Sequence, residues 1–356
     1  MIEKRLKALR EEIGENQAVL INSEVNRFCF SGFKSSAGAV VITKNSAFLL
    51  VDFRYFENAK KNVKSLEVLM FGSIYNTLNE ILNKENIKEI FLETDYFTLD
   101  NFKIIKQNLS TFSISEDDKI CKKIKQMRSV KDKEELNFIK KAQSITDKAF
   151  SHILNFIKPQ KTEKEIALEL EFFMRKNKSL SVAFDTISVS GKNSSLPHGV
   201  PTDKEIQNGD FITMDFGAVV GGYCSDMTRT VAVGSVTDKM RKVYDTVLKA
   251  QTEALRAIKP NVECKSIDKI ARDIIDNAGF EGCFGHGLGH SVGLEIHESP
   301  SFNTRDETIL QEGMVLTVEP GIYIENEFGV RIEDMVYITD NGYENLTKSP
   351  KELIIL

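Results

Sequence analysis

The sequence predicts an α+β protein of two domains: a smaller α/β domain over 1–122 and a larger one over 123–356 built by internal duplication. Three observations predict it. The chain has 356 residues, enough for two domains of ordinary size. Up to about residue 120, short β-rich runs alternate with helical patterns, and beyond that long helical periodicity takes over. Finally, "QNGDFITMDFG" (207–217) aligns without a gap with "QEGMVLTVEPG" (311–321). Gln207 matches Gln311, Gly209 matches Gly313, Thr213 matches Thr317, Asp215 matches Glu319 and Gly217 matches Gly321. A duplication of this kind sets related strands about a pseudo-twofold axis with a shared site between them.

The chain opens on a charged amphipathic stretch, "MIEKRLKALREEIGENQ", without the apolar core of a signal peptide. "AVLINS", "RFCFSGF", "GAVVITK" and "SAFLLVDF" read as strands, as does "IKEIFLE", and a helix is predicted at "LDNFKIIKQNL". The charged segment "ISEDDKICKKIKQMRS" carries the chain into the second domain. There Ser129 with Asp132 resembles a capping box, followed by Leu136, Ile139, Ala142, Ile145, Ala149, Ile153 and Ile157 at helical spacing, with Pro159 as the stop. Thr162 with Glu165 is a second capping box, opening the helix "EKEIALELEFFMRKN". Strands are predicted at "AFDTISVS", "DFITMDFGA" and "YCSDMTRTVAV". The plan then restarts: a long helix from Asp238 to Ile258, a shorter one ending at Gly279, and strands "GMVLTVEPG" and "FGVRIEDMVYIT".

Composition narrows the function. A net charge of -5 gives no electrostatic reason to expect nucleic acid or an anionic membrane as a partner. The apolar runs are too short to span a bilayer. Cys29, Cys121, Cys224, Cys264 and Cys283 are odd in number and never closely paired, as expected of reduced thiols in a cytoplasmic protein.

Three of the five histidines fall in "GHGLGHSVGLEIHESP" (285–300): His286, His290 and His297. Interleaved glycines each cost a helix about 1 kcal/mol, so this segment is predicted as a loop running into a strand. Asp215 and Asp226 flank "FGAVVGGYCS"; a turn centred between Val220 and Gly221 would set them opposite each other. Glu319 and Glu333 flank "PGIYIENEFGVRI", and a three-residue turn at 325–327 would do the same. Carboxylates opposed on apolar strands must share a proton or a cation. Four acids and an imidazole suit two divalent cations of the Mn²⁺, Co²⁺, Fe²⁺ or Zn²⁺ type.

The blocks "HGVPTD", "MDFGAVVGGYCSDMTRT", "GHGLGHSVGLEIHESP", "LTVEPGIY" and "GVRIEDM" resemble those of the pita-bread metallopeptidases, which include aminopeptidase P, prolidase and methionine aminopeptidase. The resemblance covers about 125–350 and implies a pita-bread domain behind a creatinase/prolidase-type N-terminal domain. It implies Asp215, Asp226, His290, Glu319 and Glu333 as ligands of two metal ions, Mn²⁺ first among them. It implies that His198 lies near the scissile bond, that His286 and His297 contact substrate and the tetrahedral centre, and that a metal-bridging hydroxide attacks the carbonyl with Glu319 as proton acceptor. Arg331 shares a strand face with Glu333 and would orient ligand carboxylates; His152, outside every block, is read as structural. The implied activity is cleavage of the N-terminal Xaa-Pro bond of peptides by a homodimer. An arginine follows the His-Glu-x-Pro motif in some prolidases; here Ser301 does, with Arg305 four residues on. The expectation is therefore an aminopeptidase P type enzyme, the dipeptidase being the alternative. Metal-independent or merely peptide-binding members of the fold lack ligands that this chain retains.

Overall fold

The computed structural model describes residues 1–356, which divide into two compact units, Met1–Arg128 and Ser129–Leu356. The division lies beyond the 122/123 boundary expected from sequence, because the charged segment forms one uninterrupted helix, Lys119–Ser129.

The first unit runs α1 (Ile2–Glu11), β1 (Gln17–Ile21), α2 (Glu24–Ser31), β2 (Ala39–Thr43), β3 (Ala47–Val51), α3 (Phe53–Asn62), β4 (Glu67–Met70), α4 (Ile74–Lys84), β5 (Glu89–Leu92), α5 (Leu99–Asn108), β6 (Ser113–Ser115) and α6 (Lys119–Ser129). Its six strands form one mixed sheet in the order β4-β3-β2-β1-β5-β6. The central strands are apolar on both faces, as sheets covered on both sides require. One predicted strand is wrong: "RFCFSGF" is mostly helix α2. Ser23 caps it by accepting from the Asn26 N–H at 3.3 Å, and Gly32 ends it at φ 68°. The two caps outweigh the alternating aromatics.

The second unit begins with α7 (Lys133–Ile153) and α8 (Glu163–Lys176). The capping box of α7 is Asp132 with Glu135, not Ser129 with Asp132; that of α8 is Thr162 with Glu165, as predicted. Then come β7 (Ile187–Ser190), β8 (Phe211–Phe216), β9 (Val219–Val220), β10 (Tyr223–Cys224) and β11 (Met227–Ala232). The second round of the plan is α9 (Asp238–Ala257), α10 (Cys264–Ile275), β12 (Gly289–Ser291), β13 (Glu298–Phe302), β14 (Val315–Val318), β15 (Gly321–Ile324), β16 (Phe328–Arg331), β17 (Asp334–Ile338) and β18 (Tyr343–Asn345). The sheets are β11-β8-β7 and β13-β12-β14-β17-β18, with β9-β10 and β15-β16 as separate hairpin tips. Each helix pair covers its own strands. Ala142, Ala149, Ile166 and Leu170 pack with Ile212, Met214 and Val231. Val243, Val247, Ile267 and Ala271 pack with Leu316, Val330 and Val336. Burying one of the larger of these, a Val, Leu, Ile or Met, contributes roughly 1.5–3 kcal/mol.

The halves are tied by a buried ion pair, Arg229 to Asp334 at 2.7 Å, both side chains 1% exposed. Gln251, Asn345 and Lys351 donate to the other Asp334 oxygen, so the charge is fully engaged. No helix is long and apolar enough to cross a membrane.

Candidate metal centre

The first carboxylate hairpin turns on Gly221 and Gly222, at φ 59° and 89°. Two successive left-handed residues make the tight hairpin turn whose twist matches the strands. Val220 pairs with Tyr223, and the same register sets Asp215 opposite Thr228. This corrects the expectation that Asp215 faces Asp226: the turn needs both glycines inside it, so its centre moves one residue on. Asp226 becomes the diagonal neighbour of Asp215, still on the same face because the shift is even. Gly217 permits this. A Cβ there would stand 2.0 Å from the Ser225 carbonyl oxygen, where the chain leads into Asp226.

The second hairpin turns through Glu325–Glu327, with Asn326 at φ 59°. Gly321 pairs with Arg331 on one side, and Val318 with Asp334 on the other. Both ladders share one register, so Glu319 and Glu333 face each other in the gap between them.

The glycine-rich segment is indeed loop, entering β12 at Gly289. The His290 N–H donates to Thr317 Oγ1 at 3.0 Å, and its Nδ1 lies 3.2 Å from the Ser291 carbonyl. With the Nδ1 proton on that carbonyl, Nε2 presents a lone pair. It faces Glu319 Oε1 at 3.3 Å and Asp226 Oδ2 at 3.6 Å. Ligand atoms of Asp226, His290 and Glu333 all lie within 4.8 Å of one another. Asp215 stands at the other side, its Oδ2 taken by Arg331 at 2.7 Å. Thr228 donates to Glu333 Oε2 at 2.7 Å and Thr317 to Glu319 Oε1 at 3.1 Å.

These residues fit divalent cations. Asp215 Oδ1 and Glu333 Oε1 are buried with no hydrogen-bond donor, a costly state for carboxylate oxygens. Acceptors face acceptors across the whole cluster. Burial and then neighbouring acids push the Asp226 and Glu333 carboxyls well above their usual range, and burial pushes Glu319 up to about 8. Burial, reinforced by His297, lowers His290 to about 4, so its imidazole is neutral. A site that penalises its own negative charge this strongly is matched by positive charge.

The cluster lies at the floor of a cavity of about 690 Å³, lined also by His198, His286, His297, Ser301 and Arg331. The His297 ring is 4.4 Å from that of His290. Its loop is pinned by Glu298, whose carboxylate accepts from the Leu294 N–H at 2.9 Å and pairs with buried Lys131 at 3.2 Å. Arg331 does more than hold Asp215. It also donates to Thr228 Oγ1, Tyr323 Oη and the Pro197 carbonyl at 3.0, 2.9 and 3.2 Å. His286 lines the cavity and is also held by the protein. Its Nδ1 is 2.8 Å from the Gly287 carbonyl and its Nε2 2.9 Å from Tyr323 Oη. Both ring nitrogens thus have protein partners. Burial, then Arg331, lowers its pKa to about 4. Its loop is clamped by α10: Asp268 accepts from the Leu288 N–H, and Arg272 donates to the Phe284 and His286 carbonyls. His152 lies elsewhere, 2.6 Å from Glu169 and stacked on Phe173.

The sequence reading missed Tyr323 and Thr228. Strand alternation could have found Tyr323, which shares a face with Glu319. Thr228 was hidden by the misplaced turn.

Residues 137–340 match the model of metallopeptidase family M24, and residues 5–130 match the creatinase/prolidase N-terminal domain. The chain is 42% identical to the Xaa-Pro dipeptidase of Pyrococcus furiosus, over 99% of this chain and 100% of that one. A solved Xaa-Pro dipeptidase from Bacillus anthracis superposes with a TM-score of 0.95 at 40% identity, covering 100% of both chains. The X-Pro aminopeptidase from Thermotoga maritima gives 0.91 at 39% identity, covering 98% of this chain and 99% of that one.

Proposed function

The chain belongs to metallopeptidase family M24 and carries the creatinase/prolidase N-terminal domain; from that premise we propose that it is an Xaa-Pro dipeptidase working with two divalent cations. Similarity over whole chains to proteins called Xaa-Pro dipeptidase favours this over the aminopeptidase P reading that Ser301 suggested. The observation that carries it is Arg305. A dipeptidase must recognise a free carboxylate close to the scissile bond, and an arginine fork is the usual partner. Arg305 is exposed and lines a recess of about 530 Å³ that shares His286, Gly287 and Asn303 with the main cavity. Its main-chain N–H is held by Asn303 Oδ1 at 2.8 Å, while no hydrogen bond or ion pair engages its guanidinium.

Asp215, Asp226, His290, Glu319 and Glu333 would hold the cations, with Mn²⁺ the first candidate for so carboxylate-rich a set. Bound there, they supply an acidified water and polarise the peptide carbonyl. The chain's own groups do the rest. Glu319 accepts the water's proton and passes it to the departing proline nitrogen. His198 and His297 line the cavity and meet the substrate's polar atoms. Arg331, bonded to Asp215, Thr228, Tyr323 and Pro197, fixes one carboxylate ligand and the chain immediately before His198.

The test uses chelated protein reloaded with Mn²⁺, Co²⁺ or Zn²⁺, assayed on an Xaa-Pro dipeptide and on the same dipeptide extended by two residues. The dipeptide is expected to show the higher kcat/KM. Arg305→Ala should raise its KM on the order of 10-fold or more, the range for a lost hydrogen bond to a charged group. Preference for the extended peptide, unchanged by Arg305→Ala, would restore the aminopeptidase P reading.

A further inference from the structure

The loop from Ser190 to Thr202 carries His198 into the cavity, yet the His198 ring makes no hydrogen bond and is exposed. Its neighbours Leu196 and Val200 are exposed too, at 57% and 76%. Side-chain packing at the tip therefore does not locate the imidazole. Its position is inherited from the loop backbone, and the question is what holds that backbone.

Glu163 holds both ends. It is the first residue of α8 after the Thr162 cap and is fully buried. Oε1 accepts from the Ser190 N–H at 2.7 Å and the Ser190 hydroxyl at 2.9 Å. Oε2 accepts from the Thr202 N–H at 3.0 Å and the Thr202 hydroxyl at 2.7 Å. The Asn193 amide donates to both oxygens, at 3.1 and 3.2 Å. One carboxylate thus joins the first residue of the loop, its first turn and its last residue. The donors are neutral; the charge is stabilised by their number and by the positive end of α8. The far wall adds two hydrogen bonds to the loop: the Gly329 N–H on Ser194 Oγ at 2.9 Å, and Arg331 on the Pro197 carbonyl.

We propose that Glu163 is the positioning residue for His198: its carboxylate closes the 190–202 loop and so sets where the imidazole stands over the metal cluster. The inference rests on the reading of His198 as a group that meets the substrate. It assigns a use in the reaction to a carboxylate that lies outside the cavity. Displacing a reacting group by about 1 Å can cost on the order of 10²-fold in rate, so a loop fastening suffices to matter.

The test is a double-mutant cycle on the full, Mn²⁺-loaded chain with Glu163→Gln, His198→Ala and the pair, read as kcat and KM on an Xaa-Pro dipeptide. Glu163→Gln should lower kcat by up to about 10²-fold with KM little changed and metal content intact. In the His198→Ala background it should have no further effect. Multiplication of the two single losses in the pair, or full kcat in Glu163→Gln, would overturn the proposal. Hydrogen exchange of the 191–201 amides, read without substrate, should be faster in Glu163→Gln; unchanged exchange would also overturn it. That second arm keeps the proposal testable if the wild-type chain fails on Xaa-Pro dipeptides, which would count against the dipeptidase reading instead. If Glu163→Gln does not fold, Asn193→Ala removes the donor shared by both oxygens and carries the same cycle with the same two outcomes.

Discussion

The two carboxylate hairpins come from one duplicated plan, yet they set their acids differently. In the first, a two-residue glycine turn leaves Asp215 opposite Thr228, with Asp226 on the diagonal. In the second, a three-residue turn leaves Glu319 and Glu333 directly opposed. By register, Thr228 occupies in one hairpin the place that Glu333 occupies in the other. The first hairpin also gives one acid to a cation of the chain, through Arg331 and Asp215, while the second keeps two acids with no such partner. The duplication thus preserved the strands and their faces rather than the positions of the acids. Asp226 follows Asp215 by 11 residues and Glu333 follows Glu319 by 14. One of the three extra residues lies in the turn, and the other two move the acid along the strand by an even step that keeps it on the shared face.

The largest effect expected from this comparison is at Glu333. Its Oε1 is buried without a donor, and its other oxygen rests on Thr228. Glu333→Ala should reduce bound metal below two ions per chain and bring turnover to background. Asp226→Ala should do the same, although it sits on the diagonal of its hairpin. Elemental analysis alongside activity checks both. A Glu333→Ala protein with full metal and full activity would break the assignment of ligands to the second hairpin.

A smaller effect is expected at Thr228, the residue that replaces an acid in the first hairpin. Its hydroxyl donates to Glu333 and accepts from Arg331 Nε, joining the two hairpins through one oxygen. Thr228→Val keeps the shape and removes both bonds. A loss of about 10–100-fold in metal affinity is expected for such a supporting group. Titration with Mn²⁺ by calorimetry would measure it; wild-type affinity would show that Thr228 is only packing.

The hairpins also show what sequence can and cannot say. The register of the second hairpin followed from counting, because its two ladders keep one register up to a three-residue turn. The first failed by two residues, because the conformational demand of a tight turn, two positive φ angles, fixes its centre at Gly221 and Gly222. Helix α8 was readable from its cap; α2 was not, because aromatic alternation hid Ser23 and Gly32. The gathering of acids and a histidine was legible because such residues have few other reasons to meet on apolar strands. The groups that support it were not. Arg229 and Asp334 are 105 residues apart, and nothing local in either segment points to the other. The same holds for Glu298 with Lys131, and for Glu163, which in sequence reads only as a helix-start acid.

The smallest effect concerns pH, and it follows from the acids that have no cation of the chain beside them. In the chelated protein Glu319 is pushed by burial from its ordinary 4.5 to about 8. The folded chain then holds a proton that the unfolded chain has released. That contribution to stability is complete below pH 4.5 and is lost as pH rises through 8. Asp226 and Glu333 add to it in the same direction. His286 and His290 act oppositely: lowered from 6.5 to about 4, they contribute fully above 6.5 and lose that contribution as pH falls through 4. The two trends oppose each other below 6.5, and above it only the carboxyl trend remains. Chelated protein should therefore lose stability from pH 6.5 to 8, with a slope of about 1.4 kcal/mol per pH unit for each proton released. Bound metal should flatten that slope by taking the place of the proton, and Glu319→Gln should flatten it without metal. Urea unfolding at both ends of the range, with and without chelator, measures it. Equal stability at both ends in the chelated protein would mean that the second hairpin's acids are already neutralised within the fold, and the contrast between the hairpins would then lie in turn geometry alone.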